Sequence, residues 1–269
     1  MIRMARGYDL IGSKGKAVAI VEVRDEDAEA GLEKAIAERL MKSNKHIVSV
    51  LKKESAREGE FRIREYSLVA GDENTEVLHM ENGYKLLVDP QKAYFSNRES
   101  TERMRIASQV QPGELVMVMF AGIGPYAIAI AKAQQDVQKV VAVEINSEAV
   151  RYMEHNIRIN KLSHKIVPVQ GDVREACAPW YGACDRVVMP LPLGAAGFLD
   201  IATKCAKRGA VVHLYGWGNE ADGSIYAAVE KAIAEFAGKG GLKYEIVGRR
   251  KVLPYAPGRY KVCVEFKVL

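Results

Sequence analysis

The sequence predicts an α/β protein: a mostly parallel sheet with helices on both faces, preceded by a smaller α+β unit. Three observations lead there. Apolar strands and helical stretches alternate from about residue 98 onward, as crossover connections in a parallel sheet require. The run Leu115-Val116-Met117-Val118-Met119-Phe120-Ala121-Gly122-Ile123-Gly124-Pro125 joins an apolar strand to a helix through a glycine turn. The chain then closes on two strands with no helix between them, joined by Pro254-Tyr255-Ala256-Pro257-Gly258, which implies an antiparallel final pair.

Taken in order, Val18 to Val23 reads as a strand and about Glu26 to Met41 as a helix, because Ala28, Leu32, Ala35, Ile36 and Leu40 recur at helical spacing. Ile47 to Leu51 is a second strand. Phe61 to Tyr66 alternates, with Arg62 and Arg64 on one face and Phe61 and Ile63 on the other. Asn82-Gly83 between two apolar runs signals a hairpin. A domain boundary is expected near 88–95, giving a small α+β domain over 1–88 and the larger α/β domain over 89–269. In the larger domain strands are expected at 115–119, 140–144, 165–169, 185–189, 209–215, 243–250 and 260–268. Helices are expected near 100–110, 125–134, 147–160, 195–206 and 221–237.

Bulk properties narrow the class. A hydrophobic share of 48% in 269 residues builds an ordinary core. Four scattered cysteines without a CxxC pair do not form a zinc or disulfide framework, and no metal is expected. A net charge of +5 is compatible with a polyanionic partner without requiring one. No signal peptide or membrane-length apolar run is present, so a soluble cytoplasmic protein is expected.

The glycine turn suits a nucleoside cofactor. Gly122 and Gly124 let backbone approach a ligand, the following helix offers unpaired N–H groups, and Glu144 closes the next strand within reach of a ribose. Phe120, Ala121, Pro125 and Ile145 frame the same cradle. The spacing Gly122-x-Gly124-x-x-Ala127 also fits a dinucleotide. Against that, Pro125 has no N–H to offer a pyrophosphate, and Asp172 in Gly171-Asp172-Val173 supplies a further acid at the ligand edge, suited to an adenine amino group. With the antiparallel ending, these favour a Rossmann-like class I S-adenosylmethionine methyltransferase domain over NAD binding.

Four segments carry a closer likeness: DPQKAYFSNRESTERMRIA from Asp89 to Ala107, MFAGIGPY, GDVRE and DRVVMPLP. Together with EGEFRIREY and ENGYKLLVD they resemble the archaeal and eukaryotic tRNA guanine-N1 methyltransferases acting at position 37, over nearly the whole chain. The resemblance implies S-adenosylmethionine as cofactor and the tRNA anticodon loop as partner, with RNA binding and tRNA modification as the role. No membrane or obligate protein partner is implied, and a monomer is expected. Members of that family often carry a further N-terminal domain that grips the tRNA elbow; elbow contacts are expected to be reduced here. A sister group, the wybutosine-pathway aminocarboxypropyltransferases, shares scaffold and cofactor.

The resemblance also implies roles. Glu102 matches the family's proton acceptor and Arg62 its arginine on the O6 side of guanine. Tyr94, Arg98, Arg103 and Arg64 match positions around the substrate; Val173 and Pro192 match the cofactor's surroundings. Plainer readings stand beside these. Glu102 near a helix start is stabilised by the dipole in any case, Arg105 is equally suited to pairing with Glu99 or Glu102, and His213 suits a satisfied core histidine. Trp180 and Trp217 are expected in loops, and Arg249, Arg250, Lys251, Arg259 and Lys261 form either an RNA-tracking stripe or a solvated face.

The chain departs from the family pattern in three places. Val118 stands where an Asp usually precedes Met-Phe-Ala-Gly, and Ser96-Asn97-Arg98 replaces Ser-Pro-Arg. Pro190-Leu191-Pro192 replaces Asn-x-Pro, so Pro190 occupies the catalytic asparagine's place without its amide. Two alternatives therefore stay open: aminocarboxypropyl transfer to a wybutosine precursor at the same position, and a tRNA-binding homologue with impaired catalysis.

Overall fold

The structure is a computed structural model that describes residues 8–23, 31–54 and 65–269. Contacts divide the chain into two units, Met1–Asn97 and Arg98–Leu269.

The first unit is built on a four-stranded sheet in the order β1-β2-β3-β4, from β1 (Tyr8–Ser13), β2 (Lys16–Val21), β3 (Ile47–Lys53) and β4 (Tyr66–Gly71). Helix α1 (Glu33–Ser43) crosses between the parallel strands β2 and β3 and buries Ile36, Ala37 and Leu40 against Ala19, Val21, Ile47 and Val50. The helix starts later than its periodicity suggests. Gly31 has φ +66°, which no right-handed helix continues through. Strands β5 (Val77–Glu81) and β6 (Tyr84–Val88) form the expected hairpin, with both turn residues, Asn82 and Gly83, at positive φ. Two strands escaped the pattern reading, β1 and β4. The strand expected over Phe61 to Tyr66, with Arg62 and Arg64, lies outside the described residues except at its end.

The second unit is a seven-stranded sheet in the order β12-β13-β11-β10-β7-β8-β9. Its strands are β7 (Leu115–Met119), β8 (Lys139–Glu144), β9 (Ile166–Gln170), β10 (Cys184–Met189), β11 (Ala206–Asn219), β12 (Tyr244–Ala256) and β13 (Arg259–Val268). Strands β7 to β11 are parallel, and β13 runs antiparallel between β11 and β12. The crossovers are α3 (Pro125–Ala133), α4 (Ser147–Ile159), α5 (Val173–Ala176), α6 (Leu199–Cys205) and α7 (Ala227–Gly240), with α2 (Ser100–Gln109) ahead of β7. Met117 and Met119 face the larger core cluster together with Val187, Val212, Val264 and Phe266. That strand order, with an inserted antiparallel final strand, is the Rossmann-like methyltransferase arrangement.

Two strands run well past their expected ends, and the helix expected from 221 begins at Ala227. Strand β11 runs to Asn219 and does not stop near Tyr215, so Trp217 lies in a strand. In this added stretch Gly216 and Gly218 permit close packing: a Cβ on them would collide with Val229 and with the Ile225 backbone. Likewise β12 continues through Pro254 to Ala256, leaving Pro257 and Gly258 as the turn, with Gly258 at φ +69°.

Candidate active site

The glycine turn sits at the carboxyl ends of the parallel strands, where open sheets of this kind bind ligands. Phe120 has φ +54°, unusual for a residue with a side chain, and Gly122 and Gly124 have φ +56° and +85°. Gly124 is the N-cap of α3 and Pro125 opens that helix, where a missing N–H costs nothing. The turn is pinned from two sides. Ala121 N–H donates to the Val143 carbonyl (2.9 Å), and the buried Asn156 amide donates to the Ile123 carbonyl (3.2 Å).

Glu144 sets the cofactor side. Its Oε2 accepts from Gly122 N (2.7 Å) and its Oε1 from Asn146 N (2.9 Å). Burial pushes its pKa up, while the backbone N–H groups of Asn146, Gly122 and Ile145 pull it back. A carboxylate accepts at about four positions, so Glu144 both fixes the turn and keeps capacity for ribose hydroxyls. Asp172 caps α5 through Arg174 N (2.8 Å) and pairs with the Arg174 guanidinium (3.1 Å). Arg174 stacks on Phe198 at 4.1 Å, and Phe198 meets Phe120 edge-on at 5.0 Å. Bare glycine backbone, a ribose-type acid and an aromatic wall at one sheet edge fit an adenosyl group. Ile145 and Asn146 continue from Glu144, Val173 follows Asp172 into α5, and Pro190 and Pro192 follow β10 at the same edge.

A second cluster, around a buried carboxylate, is assembled on α2. Glu102 lies in its first turn and is 5% exposed. Tyr215 of β11 donates its hydroxyl to Glu102 Oε1 (2.5 Å), and Arg105 grips both oxygens, Nη2 to Oε1 at 2.7 Å and Nε to Oε2 at 2.8 Å. Oε1 thus has two partners and Oε2 one, which leaves Oε2 the freer acceptor. Burial holds the Tyr215 and Tyr126 hydroxyls well above the usual phenol pKa, so both stay protonated donors.

A chain of buried groups stands behind Arg105. Its guanidinium also pairs with Glu265 of β13, which accepts from His213 Nδ1 (3.1 Å) and Gln109 Nε2 (3.2 Å). On its other side His213 meets Arg186 Nη1 at 2.7 Å, and Arg186 pairs with Glu114 at 2.8 and 2.9 Å. A guanidinium only donates, so His213 Nε2 is the acceptor and Nδ1 carries the proton toward Glu265. Burial depresses the His213 pKa, and the His213 and Arg105 bonds hold Glu265 far below the usual carboxylate range. His213 is therefore a satisfied neutral core residue, held between Glu265 and Arg186.

A parallel link reaches Pro190. Lys261 of β13 is 4% exposed, donates to Glu99 Oε2 (2.8 Å) and to the Pro190 carbonyl (3.4 Å), and lies over the Tyr215 ring at 4.9 Å. Lys261 is thus no part of an exposed RNA-tracking stripe; its charge is spent on Glu99. Pro190 contributes a carbonyl where a side-chain amide was expected.

The remaining residues singled out in the sequence fall in different places. Arg103 is 1% exposed, inside the second unit, whereas Arg98 is exposed and donates to the Pro254 carbonyl (3.5 Å). Tyr94 is 36% exposed on the first unit. Arg62 and Arg64 lie outside the described residues. Sequence reasoning missed Tyr215, Glu265 and the true use of Lys261. The signal was present in β13, where Lys261, Cys263 and Glu265 alternate with apolar residues and so form one polar face.

Residues 77–247 match the TRM5/TYW2 methyltransferase domain family. The chain belongs to the TRM5/TYW2 family. It is 40% identical over 261 residues to tRNA (guanine(37)-N(1))-methyltransferase Trm5b of Pyrococcus abyssi, covering 97% of this chain and 74% of that protein. The structure of aTrm5 in complex with tRNALeu superposes with a TM-score of 0.84 at 36% identity, covering 99% of this chain and 73% of that one. From the TYW2 branch, the P. horikoshii protein in complex with MeSAdo superposes with a TM-score of 0.83 at 27% identity, covering 99% and 92%. TRM5/TYW2 membership agrees with the sheet order and with the adenosyl-type cradle. No described helix is long and apolar enough to cross a membrane.

Proposed function

We propose that this chain transfers a methyl group from S-adenosylmethionine to N1 of guanosine 37 in tRNA. The observation that carries the reading is the buried Glu102 of α2, held by Tyr215 and Arg105 with one carboxylate oxygen freer than the other, in the same unit as the glycine turn and Glu144. The 40% identity to Trm5b over 97% of the chain supports the same substrate.

The chemistry asks for a base and an oxyanion partner. Guanine N1 holds its proton at neutral pH, so transfer to N1 needs a positioned acceptor. Glu102 Oε2 takes that proton, while Arg105 and Tyr215 keep the carboxylate in place. Negative charge growing on O6 is met by a cation, a role we give to Arg62. Glu144 accepts the cofactor's ribose hydroxyls and Asp172 its adenine amino group, with Phe120, Ala121, Gly122, Gly124 and Pro125 as the backbone bed. S-adenosylmethionine, when bound, supplies an electrophilic methyl on a sulfonium; the protein supplies orientation and the proton sink. Tyr94, Arg98, Arg103 and Arg64 belong to the substrate side, residues 1–88 form an RNA-side domain, and the enzyme acts on cytoplasmic tRNA.

A second reading has its own support. Pro190 offers only a carbonyl, already within reach of Lys261, where methyl-transferring relatives place an asparagine amide. Aminocarboxypropyl transfer to a wybutosine precursor at the same nucleotide would use the same scaffold. Two incubations separate them, one of unmodified tRNA transcript bearing guanosine 37 with methyl-labelled cofactor and one of tRNA bearing the tricyclic precursor with carboxypropyl-labelled cofactor, each followed by mass spectrometry of the nucleoside. Methylguanosine is the expected product. Transfer only of the carboxypropyl arm to the tricyclic precursor would reverse the ranking, and tight tRNA binding with no transfer would make the chain a binding homologue. If the missing amide limits methyl transfer, Pro190→Asn raises the single-turnover rate.

A further inference from the structure

Beyond Tyr215 on β11 lies a surface that the proposed chemistry does not use. A cavity of about 270 Å³ opens there, lined by Trp217, Gly218, Asn219, Tyr255 and Arg259. The Trp217 and Tyr255 rings lie 4.5 Å apart at 46°, and Tyr255 is 64% exposed. An aromatic braced by one neighbour and otherwise open presents a bare π-face. The exposed Arg259 guanidinium has no hydrogen bond or ion pair among the described residues. The Asn219 side-chain oxygen accepts from Ala221 N (3.1 Å), which leaves its amide N–H donors unused.

The pocket adjoins the candidate site without coinciding with it. Trp217 follows Tyr215 by two residues and so faces the same side of the sheet, and its register partner on β13 is Lys261. Arg98 ties the end of the β12–β13 hairpin to the start of α2 through the Pro254 carbonyl. Two strand residues span roughly 7 Å. A base in this pocket is therefore out of hydrogen-bond reach of Glu102, which a reacting base must have, but within the span of one splayed nucleotide.

We propose that the Trp217–Tyr255 pocket seats the base of the nucleotide adjoining the target guanosine, with Arg259 on its phosphate. The proposal rests on the tRNA reading above. Stacking on these rings tolerates any base, so the seat holds the loop open and leaves sequence unread.

The test uses the full chain and anticodon stem-loop RNAs with guanosine at position 37, intact or abasic at 36, 37 or 38. The chain has two tryptophans, so Trp180→Phe leaves Trp217 as the sole tryptophan, read by excitation beyond the tyrosine band. Intact RNA should quench it, an abasic site at 36 or at 38 should abolish the quench, and an abasic site at 37 should leave it. Tyr255→Ala should weaken stem-loop binding by roughly 5- to 150-fold, the range for one stacked base, with unchanged S-adenosylmethionine affinity. Arg259→Gln should reduce the slope of log affinity against log salt by about 0.7. No quench with intact RNA, quench lost only when 37 is abasic, or unchanged binding in Tyr255→Ala would each overturn the proposal. Failure of the methyl-transfer reading shows separately, as absence of labelled RNA with the unaltered protein.

Discussion

At the scale of single residues, the proposed chemistry turns on how Glu102 is held. Its three hydrogen bonds come from Tyr215 and Arg105, and both donors stay protonated across the working pH range. Glu102→Gln keeps the shape and removes the proton acceptor. Turnover should fall by about 100-fold or more, while S-adenosylmethionine affinity, read by calorimetry, stays within about twofold. Equal turnover in that variant would remove Glu102 from the proton path. Residue types told part of this in advance. An acid in the first turn of a helix is commonplace, and only likeness to a known motif raised Glu102 above a dipole partner. Its buried company was not legible, because Tyr215 is 113 residues away in sequence and no local pattern reports such a contact.

At the scale of elements, the glycine turn was the most legible feature, since an apolar strand, φ-permissive residues and a helix-opening proline each have a local cause. Strand β7 and the start of α3 fall where the pattern put them. Within the turn Gly124 has a steric requirement as well: it sits at φ +85°, and a Cβ would stand 2.9 Å from Met153 Cγ. Gly124→Ala should cost about 1–3 kcal/mol of stability, read as a lower urea midpoint, and should weaken cofactor binding about tenfold. An unchanged midpoint would mean that α4, which carries Met153, yields easily. The end of β11 was placed too early because its last residues answer to tertiary packing. Gly216 and Gly218 make room for the residues leading into and opening α7, a demand that no local pattern reports.

At the scale of the whole molecule, acid should loosen the second unit before it affects surface charges of the ordinary kind. His213 is neutral in the fold because Arg186 and Arg105 oppose its charge and burial disfavours it, although Glu265 favours protonation. Its folded pKa is below the unfolded 6.5, so the unfolded chain binds more protons as pH falls through that value. Stability is then lost below pH 6.5 at up to about 1.4 kcal/mol per unit. Glu265, depressed in the fold, adds a further loss as pH falls below 4.5. Urea midpoints between pH 7 and 5 should fall for the unaltered chain, and His213→Gln should flatten that slope; equal slopes would locate the acid sensitivity elsewhere. The mostly parallel sheet with its antiparallel final pair was legible at this scale from alternation and the paired last strands, whereas the ion network joining β10, β11, β13 and α2 was not. The placement of β13 also makes it a shared brace. Lys261 and Glu265 hold Glu99 and Arg105 from one face of a single strand, so a displacement of β13 would disturb Glu99 and the clamp on Glu102 together.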